Sequence, residues 1–227
     1  MKQVATMSNS PDQPSAALRE RVLAAARQQP SPTRPDRRRR VLVVYSLAGL
    51  AMLAIFQFAG GLAHGQGRPV ELTVAIATGA AALALAVSVV AAGRRRSMLG
   101  HPTSQLALVA LATPVVANVW LIAFASSYAE PFERIGWRCL GLTLALASMV
   151  LLASMWLRRQ SVAVAPSWTG AALGAAAGAW AGVFVDLWCP LSNAEHVAVG
   201  HALPMLILVA VGAVAGVKVL GLGRVKE

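Results

Sequence analysis

Four residues carry most of the side-chain chemistry in this sequence: Cys139, Cys189, His196 and His201. Thiolate and imidazole together favour borderline and soft cations, so a Cys2His2 set here suits zinc or cadmium. The two thiols alone offer another chemistry, a disulfide, if they face an oxidising compartment and their Cα atoms come within about 7 Å. A third reading is inert. Buried cysteines pack as small hydrophobes, His201 bonds a neighbouring helix, and His196 is a solvated loop residue. Spacing does not choose among the three. A separation of five residues sets His196 and His201 about 140° apart on an ideal helix, off any common face. Of the other two histidines, His64 is expected in a loop on the same side of a membrane and His101 in a loop on the opposite side.

Apolar helices must position these residues. The 227 residues are 57% hydrophobic and 13% charged, and that charged share is about half of what a soluble domain carries. Six apolar runs are each long enough to cross a bilayer. They fall at about 41–63, 72–92, 106–125, 136–157, 162–187 and 197–220. The expected fold is all-α: a polytopic membrane protein of six transmembrane helices with short loops, preceded by a short N-terminal arm. Cys139 then lies near the start of the fourth span and Cys189 just after the fifth, at one depth.

The net charge of +11 is better read as the cytoplasmic bias of membrane proteins than as a nucleic-acid surface. With the N-terminus inside, 17 of the 20 basic residues fall in inner segments and only Arg68, Arg134 and Arg138 in outer ones. That split favours an even number of spans with both termini cytoplasmic, in a bacterial inner membrane. No signal peptide is expected, because the first apolar run is long and follows a polar stretch. Met7 is an alternative start.

Residues 1–40 form the arm. Its ends, 8–14 and 30–35, are rich in proline and small polar residues and read as extended or disordered. Between them a short amphipathic helix over 15–28 gathers Leu18 and Val22 on one face with Leu23 at its edge. About three turns are marginal alone in water, so the stripe needs either a lipid surface or a protein partner. Residues 221–227 form a cytoplasmic tail.

Glycine recurs every fourth residue in the fifth span, at Gly170, Gly174, Gly178 and Gly182, and the sixth adds Gly212 and Gly216. Such stripes let membrane helices approach backbone to backbone. Pro114 and Pro204 are expected to kink the third and sixth spans. Asn118, deep in the third, is expected to bond another helix. There is no Cys-x-x-Cys, His-Glu-x-x-His, phosphate-binding glycine loop or Gly-x-Ser-x-Gly, and no acidic residue lies mid-span. Enzymes and ion-coupled carriers therefore draw no support, and no catalytic residue is expected.

A six-span chain with Cys139 entering the fourth span, Asp186-Leu187-Trp188-Cys189-Pro190 closing the fifth, and His196 and His201-Ala202-Leu203-Pro204 opening the sixth resembles the NrsF-like bacterial membrane anti-sigma regulators. The resemblance runs from about residue 41 onward, most firmly over 138–220. In composition the chain is also similar to the six-span CarR-type anti-sigma proteins of myxobacteria. The resemblance implies an inner-membrane protein that holds an extracytoplasmic-function sigma factor inactive, with Cys139 and Cys189 matching cysteines implicated in sensing. No organic cofactor is expected. The rival readings are a metal or redox sensor with another cytoplasmic partner and a small-molecule carrier subunit.

Topology follows from the charge split. Phosphatase and fluorescent-protein fusions at Gln66, Ser97, Tyr128, Gln160, Asn193 and the C-terminus are expected to alternate in activity. Phosphatase activity at the C-terminal fusion would overturn the six-span count.

Overall fold

In hydrocarbon a backbone must satisfy its own N–H and C=O groups, and all six apolar runs do so as helices. The computed structural model describes residues 20, 34–62, 67–92, 103–125, 129, 133–159 and 163–221. The helices are α1 (Arg34–Phe58), α2 (Val70–Ala92), α3 (Thr103–Ala125), α4 (Trp137–Arg158), α5 (Pro166–Trp188) and α6 (Ala194–Leu220). No strand occurs among the described residues. Each helix has the length and hydropathy of a membrane span, so the chain is an all-helical, multi-pass membrane protein. Apart from Glu20, the amphipathic stretch 15–28 with Leu18, Val22 and Leu23 lies outside the described residues, as do His64 and His101.

Four helices, α1, α2, α3 and α6, start earlier than expected, and the starts of α1 and α6 have a local cause. In the unit Met1–Arg40, α1 begins at Arg34, within the stretch read as extended. Pro35 is tolerated there because a first-turn N–H has no helical acceptor, and Asp36 places a carboxylate at the positive end of the helix. In the unit Val41–Glu227, α6 begins at Ala194 because Asn193 caps it. The Asn193 side-chain oxygen accepts the His196 backbone N–H at 2.9 Å.

α5 is the central helix. It packs on α2, α3, α4 and α6, and 72% of its apolar window is buried against 11% for α1. The glycine stripe explains that position. A Cβ at Gly170 would collide with the Gly212 carbonyl, one at Gly174 with the Leu208 carbonyl, and one at Gly216 with the Pro166 carbonyl. Only glycine lets these backbones meet. Farther along, a Cβ at Gly178 would meet the side chains of Leu208 and Met205 first, at 3.3 Å from each, with the Met205 Cα at an ordinary 3.7 Å. At Gly182 it would meet only the Met205 methyl, at 3.0 Å.

Polar groups close the remaining gaps. Trp180 Nε1 donates to Ser88 at 2.9 Å, and the Tyr45 and Ser154 hydroxyls bond at 3.1 Å. Orphan carbonyls in last turns are taken by arginines: Arg158 donates to Ala91 O at 2.8 Å and Arg68 to Asp186 O at 3.0 Å. Asn118 bonds the Pro114 carbonyl of its own helix rather than another helix. A short side chain reaches the carbonyl four residues back, as Thr113 and Thr143 also do. α3 runs on through Pro114 without a break. Pro204 perturbs α6 differently, through a π turn at Ala198–Ala202.

The uneven stripe predicts uneven tolerance. Gly170→Ala and Gly174→Ala force backbone apart and are expected to destabilise by about 1–3 kcal/mol. Gly182→Ala asks only a methionine methyl to move and is expected to cost well under about 1 kcal/mol. Thermal unfolding in detergent micelles reads the difference, and equal losses at all three positions would contradict this packing.

Candidate metal and thiol centre

Pro190 fixes where α5 stops. A residue preceding proline is steered out of the helical region, and Cys189 is accordingly extended, at φ −97° and ψ 119°. Its N–H still closes the last turn on Val185 O at 2.7 Å. The chain then passes through buried Leu191 and Ser192 to the Asn193 cap. Cys139 lies in the first turn of α4. The start of α4 is drawn against α6 by a second glycine contact, Gly136 on Gly200, where a Cβ at Gly136 would come within 2.6 Å of Gly200 backbone. A Cβ at Gly200 would in turn lie 2.9 Å from that of Cys139.

These approaches bring all four sequence candidates together. One ligand atom from each of Cys139, Cys189, His196 and His201 lies within 4.8 Å of the other three, and all four residues are buried. His196 Nε2 sits 3.3 Å from Cys139 Sγ and 3.1 Å from Cys189 Sγ. His196 Nδ1 donates to Arg134 O at 2.7 Å. A carbonyl only accepts, so the ring proton is on Nδ1 and the Nε2 lone pair faces the sulfurs. His201 Nδ1 lies 3.0 Å from Asp186 Oδ1. Cys189, beyond the end of α5, is held below the usual thiol range. Its hydrogen bond with Cys139 is the main cause, and His196 and His201 act in the same direction against the cost of burial.

Two expectations are corrected. His196 is not a solvated loop residue: it is 3% exposed, because the Asn193 cap starts the helix early and turns the ring inward. His196 and His201 are not splayed, since their ring centroids lie 5.6 Å apart. The π turn between them is the reason. Leu203 N–H reaches Ala198 O, five residues back, so a five-residue step returns much nearer the same face than in an α-helix. Pro204 supplies the cause, because it has no N–H and its ring crowds the carbonyl four residues earlier, that of Gly200. His201 does bond a neighbouring helix, through Asp186 of α5.

Asp186, Arg134, Gly136 and Gly200 were not singled out as site residues. The Asn193-Ala194-Glu195 run, a cap followed by an acidic first turn, was a legible signal for an earlier helix start. Arg134 contributes its carbonyl, which no sequence pattern marks.

A helical membrane bundle with a buried thiol–imidazole cluster at one end defines a class of multi-pass protein built around a small polar centre rather than a substrate cleft. The family model for negative regulator of sigma F, NrsF, matches residues 23–221, and the chain belongs to that family. The match begins within the arm, ahead of the residue-41 limit read from the motifs. No curated protein and no solved structure matches the chain. Membership makes it a negative regulator of a sigma factor, with a sigma factor as its partner.

Burial makes the thiols hard to reach. A bulky membrane-impermeant maleimide is expected to label neither Cys139 nor Cys189 in the folded protein but both after denaturation. A cysteine placed at exposed Glu133 (Glu133→Cys in a Cys139→Ser, Cys189→Ser background) should label at once. Equal labelling rates for the native thiols and that reference would show the centre to be open.

Proposed function

We propose that the chain is a bacterial inner-membrane anti-sigma factor that holds an extracytoplasmic-function sigma factor at its cytoplasmic side and senses a thiol or soft-metal signal at its outer face. Family membership supports the regulatory half. The 17-to-3 division of basic residues supports cytoplasmic termini and an outer location for the centre. One observation carries the sensing half: both thiols meet a single imidazole, buried, where three helices converge. Oxidation or a bound cation there alters contacts between α4, α5 and α6 together.

Repression on this reading is stoichiometric sequestration, without catalysis and without direct nucleic-acid contact. The stripe of Leu18, Val22 and Leu23 is the proposed grip on the sigma factor, since a helix of that length needs a partner to bury it.

A sigma-dependent reporter tests both halves. Leu18→Asp with Val22→Asp is expected to raise reporter output to the level of a deletion while the protein stays in the membrane. Cys139→Ser with Cys189→Ser is expected to abolish the response to oxidant and cadmium. Unchanged repression by the first variant at normal protein level would remove the arm as the grip. A normal response from the second would remove the thiols as the sensor.

A further inference from the structure

Hydrogen-bond accounting in the centre points past a pair of reactive thiols. His196 spends its N–H on Arg134 O, which turns the Nε2 lone pair inward. His201 spends its Nδ1 on the Asp186 carboxylate. Its Nε2 is fully buried and has no hydrogen-bond partner. The cluster thus presents two sulfurs and two imidazole nitrogens to one small volume, with the His201 Nε2 atom unmet. An unmet buried polar atom costs about 1–3 kcal/mol. A single cation would satisfy all four donor atoms at once.

The surroundings have the form of metal-ligand support. Metal-bound histidines hold their other ring nitrogen on a carboxylate or a backbone carbonyl, and this site shows one of each, Asp186 and Arg134 O. The geometry is also near that of a bound ion. With zinc–sulfur bonds of about 2.3 Å and zinc–nitrogen bonds of about 2.0 Å, tetrahedral ligands have S···N separations of about 3.5 Å. The observed 3.3 and 3.1 Å need an expansion of only about 0.2 to 0.4 Å to match. Charge selects the valence. Two thiolates and two neutral imidazoles around a divalent cation sum to zero, the state that a buried site tolerates best.

We propose that Cys139, Cys189, His196 and His201 form a closed tetrahedral site for a thiophilic divalent cation, zinc in the resting protein, with Asp186 and the Arg134 carbonyl as positioning groups. Binding releases to solvent the protons that the ligands still hold, and no electron moves. The ion clasps the first turn of α4 to the end of α5 and the start of α6. This deepens the sensing reading and rests on it only for the consequence in the cell, because cadmium would compete for the same four ligands.

The test uses the full chain, purified in detergent micelles, stripped with chelator and titrated with cobalt(II), whose spectrum reports ligands that zinc hides. A stoichiometric amount of cobalt is expected to produce sulfur-to-cobalt charge transfer with the intense visible bands of tetrahedral cobalt, and zinc should abolish both. Cys139→Ser, Cys189→Ser, His196→Gln and His201→Gln should each weaken binding by at least about 100-fold. Asp186→Asn should weaken it about 10- to 100-fold with the spectrum unchanged. If the cysteine variants lose helical circular dichroism, the wild-type spectrum and Asp186→Asn decide. No charge-transfer band in the wild type, or His201→Gln binding as tightly as wild type, would overturn the site. The reporter separates the two readings. A metal-binding protein whose reporter ignores cadmium keeps the site and loses the sensor. A metal-free protein whose reporter answers oxidant keeps a thiol sensor and loses the site.

Discussion

Backbone-to-backbone approach of α5 and α6 at Gly170, Gly174, Gly212 and Gly216 is the constraint from which the rest of the bundle follows. Lipid tails are as apolar as leucine, so burial alone gives membrane helices little reason to associate, and close dispersion contact must supply it. Four glycines on one stripe, in a helix rich in alanine between them, give α5 a narrow profile. A narrow helix can take the centre and receive α2, α3, α4 and α6 around it. α1 lacks such a surface. It reaches the bundle through Tyr45, Met52 and Phe56, and leaves a cavity of about 490 Å³ against α2, α4 and α5.

The polar centre is built from departures from regular helix. Pro190 ends α5 and leaves Cys189 extended. Asn193 restarts the helix within four residues. Pro204 removes a hydrogen bond and the chain answers with a π turn, which brings His201 round toward His196. Gly136 and Gly200 then let the start of α4 close on that turn and carry Cys139 in. Removing the π turn would leave the two histidine donors on different faces of α6. Proline and glycine here act as geometry, while cysteine and histidine supply the chemistry.

The bundle was legible in the sequence because its causes are local. Span lengths come from hydropathy, the central interface from a four-residue repeat, and the four donor residues from type. What was not legible depends on tertiary closure. The 140° separation of His196 and His201 holds for an ideal helix and fails at a π turn, which arises from Pro204 acting together with a close neighbour. Asp186 read as a residue at a span end, although its carboxylate finds His201 only across the α5–α6 contact. Asn118 looked free to bond across helices, yet the nearest acceptor was its own backbone. The early start of α1 turned on Pro35, which ends a helix elsewhere but suits a first turn.

The same interface is graded, and the grading bears on how a centre at one end could act on the other. Gly170 and Gly174 press on carbonyls and cannot slide without backbone collision, whereas Gly178 and Gly182 face Leu208 and Met205 side chains. Met205 is flexible and adapts to displaced neighbours at small cost. The soft end of the interface is the end that carries the centre, and the hard end is tied further by Ala163 N–H on Leu220 O at 3.2 Å. A change of contacts among Cys139, Cys189, His196 and His201 therefore meets least resistance locally and a fixed pivot farther away. α4 is the helix that joins the centre to the far end. It touches the centre through Cys139 and Gly136, and at its far end Arg158 holds the last turn of α2. On the sensing reading, α4 is the link between the centre and the opposite face, and Arg158 is where a displacement of α4 would reach the last turn of α2.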